Sequence, residues 1–134
     1  STDTDSLIYS VLEVISFGIK DGYESTHSVS PKSEEIYLIG GGSKNIFWAN
    51  LISSTLNQSI LIGEDANLGP ALGVARLAML STEDFSLNEV IKSMKIIKDC
   101  SIDNNLCERL DKRYKVWKQI VNTNKPIASK LMEN

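Results

Sequence analysis

Glu35-Ile36-Tyr37-Leu38-Ile39 runs straight into Gly40-Gly41-Gly42-Ser43, and apolar residues then return at Trp48, Leu51, Ile52 and Leu56. A short, β-branched apolar run that stops at glycines reads as a buried strand meeting a tight turn. The three- and four-residue spacing after it reads as a helix, which Asn57 can end. Ser59-Ile60-Leu61-Ile62, closed by Gly63, repeats the strand signal. Strand, glycine turn, helix and strand in this order predict an α/β fold.

Upstream, Leu7, Ile8, Val11, Leu12, Ile15 and Ile19 keep helical spacing over residues 5 to 21, with Val14 and Phe17 widening the stripe. This predicts a well-buried helix. Asp3 or Thr4 is placed to cap its start, and Lys20-Asp21-Gly22 reads as its stop. A polar loop from about Glu24 to Ser33 then holds the one histidine, His27, read as solvated. Downstream, the helical pattern resumes from about Ala66 to Leu80, with Pro70 tolerable only near the first turn. Ser86 and Glu89 have capping-box spacing for a helix of about ten residues. Leu106, Leu110, Tyr114, Trp117 and Val121 stripe a last helix whose Lys112, Arg113, Lys115 and Lys118 fall largely on its wet side. Two short strands are fewer than a self-sufficient sheet carries. The chain therefore reads as part of something larger, with edges or apolar faces left to cover, and self-association into a homo-oligomer is expected.

The whole chain has 134 residues, one domain's worth, and 42% of them are hydrophobic, enough for a packed core and against disorder. Fourteen basic against 17 acidic residues, with no basic run, do not indicate a nucleic-acid partner. No apolar stretch reaches the ~18 residues of a membrane span and no signal peptide opens the sequence, so a soluble, cytoplasmic protein is expected. Cys100 and Cys107 are too few for a disulfide framework and badly spaced for zinc, and both are read as reduced and structural.

The glycines carry the functional signal. Glycine lets backbone approach a ligand, and the start of the following helix offers N–H groups to an anion or a polar base edge. Gly40, Gly41 and Gly42 are thus read either as a nucleotide or phosphate contact or as a plain turn. Gly40-x-Gly42 nearly traces the dinucleotide pattern, but Asn45 holds its last glycine position, and the Gly-Lys-Ser/Thr phosphate loop is missing. Lys44 reads as solvated or ligand-facing, and Asn45 as a helix cap or a partner for a heterocycle. The small side of the third helix, with Ala66, Gly69, Ala71, Gly73, Ala75 and Ala78, reads as close packing, since glycine within a helix costs up to ~1 kcal/mol. Glu64 and Asp65 read as cap and dipole partners or as metal ligands. Glu13 reads as a paired or rim carboxylate. No Ser/His/Asp or Cys/His set can be assembled, so no catalytic residue and no metal site is assigned.

The string from Ile39 to Trp48, with Leu68-Gly69-Pro70-Ala71-Leu72-Gly73-Val74-Ala75-Arg76-Leu77-Ala78, resembles the C-terminal domain of the FGGY family of carbohydrate kinases. The second string is most similar to that of xylulose kinases within the family. The first helix resembles the family's Arg-Ala-x-x-Glu-Gly helix, with Glu13 at the glutamate and Tyr9 and Val14 at the arginine and glycine. Tyr114 to Ile120 resembles its terminal helix. Asn50 stands at the family's glutamine and Ser53-Ser54 at its Ala-Asp.

The resemblance implies an actin-like, ribonuclease H-like ATPase fold. Residues 1–134 would form a single C-terminal fragment on the nucleotide-binding side, with the sugar-binding, catalytic domain N-terminal to it and absent here. It implies ATP and Mg2+, the metal held mainly through ATP and the absent part. Gly40, Gly41, Gly42, Ser43 and Asn45 would be the nucleotide-binding residues, Gly41 and Gly42 against adenosine and the α-phosphate and Asn45 at the adenine edge. A β-carbon at Gly42 is expected to obstruct the nucleotide and to strain a positive φ. The implied activity of the full-length enzyme is transfer of the γ-phosphoryl group of ATP to a pentulose, D-xylulose giving D-xylulose 5-phosphate, with the fragment inactive alone. The alternatives are another FGGY kinase acting on gluconate, ribulose or glycerol, a related ATPase-like or Rossmann-type binding module, and a non-catalytic nucleotide-binding module or interaction domain.

Overall fold

The computed structural model describes residues 3–27, 35–82, 84–90 and 95–132. Helix α1 (Thr4–His27) leads to strand β1 (Ile36–Tyr37), a 3-10 turn (Gly41–Lys44), helix α2 (Ile46–Leu56) and strand β2 (Ile60–Gly63). A second 3-10 turn (Ala66–Leu68), helix α3 (Gly69–Leu80), the turn α4 (Leu87–Val90), strand β3 (Ile96–Cys100) and helix α5 (Asn104–Met132) follow. The sheet order is β1-β2-β3. β1 runs parallel to β2 with Ile36 opposite Ile60, and β3 runs antiparallel to β2 with Cys100 opposite Ile60 and a bulge between Ile62 and Gly63.

Helix α2 is the hub. On one side Ala49, Ile52 and Leu56 pack with Ile60, Ile62, Ala66 and Cys100, joining α2 to the sheet. On the other, Leu51 packs with Phe17 of α1 and with Leu110 and Tyr114 of α5. A helix covered on both sides must bury its polar residues as well, and each one finds a partner. Ser53 Oγ donates to the Gln58 and Cys100 carbonyls, Thr55 Oγ1 to the Leu51 carbonyl, and Ser54 Oγ accepts from the Asp103 amide. Asn57 ends α2 in the left-handed conformation at φ 54°, the stop read from the sequence.

Several expectations are corrected. The apolar stripe of α1 is exposed: Leu7, Ile8, Val11, Val14, Ile15 and Ile19 are 38–59% accessible, while Glu13, Ser16 and Phe17 face inward. Nor does α1 stop at Gly22. It continues to His27, because Tyr23 packs on the sheet–α2 core and Glu24 accepts a hydrogen bond from Tyr114. The loop expected from Glu24 to Ser33 is helical to His27, and its remaining residues, 28–33, lie outside the described residues.

β1 is an edge strand of this sheet, not a buried one: its Tyr37 is exposed, as is Ile39 just after it. α3 buries none of its residues: Ala71, Gly73, Ala75 and Ala78 of its small side are exposed, while Gly69 backs onto Ile39 and Ala66, in the turn before the helix, is buried in the core. The third strand, β3, goes beyond the two expected from the sequence: with Lys95, Lys98 and Asp99 around two isoleucines it lacks the apolar run of a buried strand. Other readings stand. Asp3 caps α1 through Ser6, Ser86 and Glu89 form the capping box, and Pro70 lies in the first turn of α3. α4 is described only for Leu87–Val90, so its expected length runs outside the described residues. Cys100 and Cys107 are free and buried, and burial pushes both thiols up from their ordinary range.

Candidate nucleotide site

The chain leaves the sheet after β1 with Leu38 still donating to the Leu61 carbonyl, so the glycines emerge at the end of the parallel pair. Gly40 sits at φ 90°, ψ −175°, a region essentially closed to other residues. There its amide points at the Ala66 carbonyl, 2.6 Å away, and ties the glycine turn to the turn that follows β2. The two crossing loops are thereby fixed against each other.

Within the turn the Ser43 amide and hydroxyl both donate to the Gly40 carbonyl, at 3.1 and 2.7 Å. Asn45 donates its amide to the Gly42 carbonyl and accepts from the Trp48 amide at 3.1 Å through Oδ1, which makes it the N-cap of α2. Of the two readings of Asn45, the cap is the one its Oδ1 serves. Ser43 is buried and turned inward to brace the loop.

The glycines differ in what surrounds them. A β-carbon at Gly42 would lie 2.5 Å from Cζ3 of Trp48, and no positive φ is present there. The expectation of a positive φ at Gly42 is thus corrected: the positive φ belongs to Gly40, and a β-carbon at Gly42 would strike an indole of this chain. That indole is anchored by its Nε1 donating to Ser16 Oγ of α1 at 3.1 Å. A β-carbon at Gly41 meets nothing within 4 Å. The same open space lies at Gly40, so Gly41 is the glycine of the three that is open without a positive φ.

Beside the turn lies a cavity of about 300 Å³ lined by Ser43 and Lys44 of the glycine turn and Ile46 of α2, by Ile62, Gly63, Glu64, Ala66 and Asn67 from the end of β2 onward, and by Ile97 and Lys98 of β3. Neither Lys44 nor Lys98 has an ion-pair partner among the described residues, whereas Glu64 pairs with Lys95 at 3.4 Å. Asp65 makes no side-chain cap. The sequence reading missed the β3 wall; the pair Ile96-Ile97 between lysines was the available signal for it. Among the described residues no group of three or more His, Cys, Asp or Glu side chains comes together to hold a metal, and no helix is long and apolar enough to cross a membrane.

Glu13 is buried, with 4% of its side chain exposed, and Arg113 of α5 reaches it, Nη2 to Oε2 at 2.7 Å. It is a paired carboxylate, and Arg113 is not simply on the wet side of α5.

This strand–glycine turn–helix unit on a mixed sheet is the fold found in solved sugar kinases. The chain superposes on a xyloylose kinase from Brucella ovis with a TM-score of 0.77, 22% identity and 93% of this chain covered, and on the xylulose kinase of Rhodospirillum rubrum with a TM-score of 0.72, 16% identity and 94% covered. It spans 26% of each of those chains. In sequence it is 29% identical over 93 residues to the xylulose kinase of Escherichia coli (strain K12), covering 69% of this chain, and 33% identical over 78 residues to that of Klebsiella pneumoniae, covering 58%. The chain spans 19% and 16% of the length of those two relatives. Residues 1–82 match the C-terminal domain of the FGGY family of carbohydrate kinases, and the chain belongs to that family.

Proposed function

We propose that this chain is the nucleotide-binding C-terminal portion of an ATP-dependent sugar kinase that phosphorylates a pentulose, D-xylulose, in the cytoplasm. The observation that carries the reading is Gly41, whose backbone stands open in a turn clamped between the ends of β1 and β2. Catalysis of phosphoryl transfer rests on positioning and charge stabilisation, and a braced loop supplies positioning. In this reading ATP lies along Gly40, Gly41 and Gly42, with Ser43 and Asn45 holding the loop's shape. Mg2+ arrives on the ATP phosphates. The remainder of a longer polypeptide provides the aspartate that takes the sugar hydroxyl proton, and the sugar contacts with it. The xylulose assignment is taken from the relatives' names.

The exposed face of α1 and the edge of β1 are, in the same reading, surfaces that the rest of the kinase covers. Titration of the chain with ATP, adenosine and NAD, followed by Trp48 fluorescence in a Trp117→Phe background, tests the nucleotide assignment. ATP and adenosine should change the signal saturably and NAD should not. An equal response to NAD would favour a dinucleotide-binding module, and no response to any of them would leave the glycines as a turn.

A further inference from the structure

We infer that β3 is a functional wall of the nucleotide site, and that Lys98 on it contacts the phosphate-bearing part of the nucleotide together with Lys44; the inference rests on the nucleotide reading of the glycine turn. Lys98 stands opposite Ile62 in the β2–β3 ladder, so it belongs to the end of the sheet where β2 passes into the turn holding Ala66. Ala66 is the residue whose carbonyl anchors Gly40. Lys98 and the glycine turn are therefore held in one rigid frame.

The cavity between them combines apolar walls, Ile46, Ile62 and Ile97, with two lysines that make no ion pair among the described residues. Its one acid, Glu64, is matched by Lys95. Two uncompensated ammonium groups beside a water-exposed cavity favour an anionic ligand over a neutral one, and lysine serves phosphates as a point charge. At about 300 Å³ the cavity is at the low end for a small-molecule site, so it takes one end of a nucleotide and leaves the rest outside.

The test titrates the 134-residue chain with ATP and with adenosine, as wild type and as Lys98→Ala, Lys98→Arg and the distant control Lys112→Ala. Lys98→Ala should weaken ATP about tenfold, the value of one charge-assisted contact, and leave adenosine within about twofold. Lys98→Arg should retain most of the ATP affinity, and Lys112→Ala all of it. If Lys98→Ala binds ATP like the wild type, or loses ATP and adenosine equally, the inference is overturned while the nucleotide reading stands. If the wild type binds neither ligand, both fall.

Discussion

A methyl group would probe each of the three glycines differently. At Gly40 it would force a side chain into a backbone region that costs about 1–3 kcal/mol. At Gly42 it would meet the Trp48 ring at 2.5 Å, and the indole cannot retreat without giving up its bond to Ser16, an overpacking cost of about 1–3 kcal/mol. At Gly41 it meets nothing. Gly40→Ala and Gly42→Ala should therefore lower the melting temperature by several degrees, while Gly41→Ala leaves it unchanged. The glycine to test for ligand contact is accordingly Gly41: Gly41→Val should reduce ATP binding with melting intact, and an unchanged ATP titration would count against contact at this position. Asn45→Ala should cost about 1 kcal/mol of stability through the lost cap, read by denaturant midpoint.

Helices α1 and α5 are held by charge and aromatic contacts set along their length. Tyr114 packs on Phe17 and stacks on Trp117, and its hydroxyl donates to Glu24 at 2.8 Å. Lys118 pairs with Asp21 at 2.9 Å and Lys20 with Asp111 at 2.6 Å. The Lys118 hydrogen bond holds the Asp21 carboxyl below its ordinary range, and burial, followed by the bond to Glu24, pushes the Tyr114 hydroxyl above its own. The signs follow from linkage. A depressed carboxyl contributes stability that is complete above the unfolded value, roughly pH 4, and is lost as pH falls through the folded one; a raised phenol contributes stability that is complete below roughly pH 10 and is lost as pH rises through its folded value. Asp21→Asn should flatten the acid limb of a melting-temperature profile, and Tyr114→Phe the alkaline limb. Arg113→Ala, which leaves the buried Glu13 carboxylate uncompensated, should cost about 2 kcal/mol, less than the ~3–5 of a fully buried pair because the guanidinium is half exposed.

At the scale of the molecule the dominant feature is apolar surface without a partner. Leu7, Ile8, Val11, Val14, Ile15 and Ile19 on α1 are exposed, and between α1 and α5 a groove brings Val14 together with Val116 and Ile120, which are exposed as well. Apolar residues in such a run mark an interaction surface. The chain alone should self-associate in sedimentation velocity at high concentration, and Val11→Lys with Ile15→Lys should return it toward monomer without lowering the melting temperature. A wild-type chain that stays monomeric would show that this face needs no cover. The chain alone should also show no xylulose-dependent ATP turnover above a blank.

What the sequence determined by itself was local: the strand–glycine–helix unit, the caps at Asp3 and Ser86, the helix stop at Asn57, and the family through two short strings. These rest on backbone conformation and on contacts within a few residues, which sequence spacing encodes directly. Only the tertiary structure decided which way α1 turns, because periodicity reports that a helix has an apolar stripe and not whether anything in the same chain covers it. It also decided the three fates of the glycines, since the indole against Gly42 and the carbonyl held by Gly40 belong to distant or folded-back residues. The strand β3 escaped the sequence for the same reason. Its lysines and isoleucines become a strand through pairing with β2, a contact made across more than thirty residues of intervening chain, where no local pattern can record it.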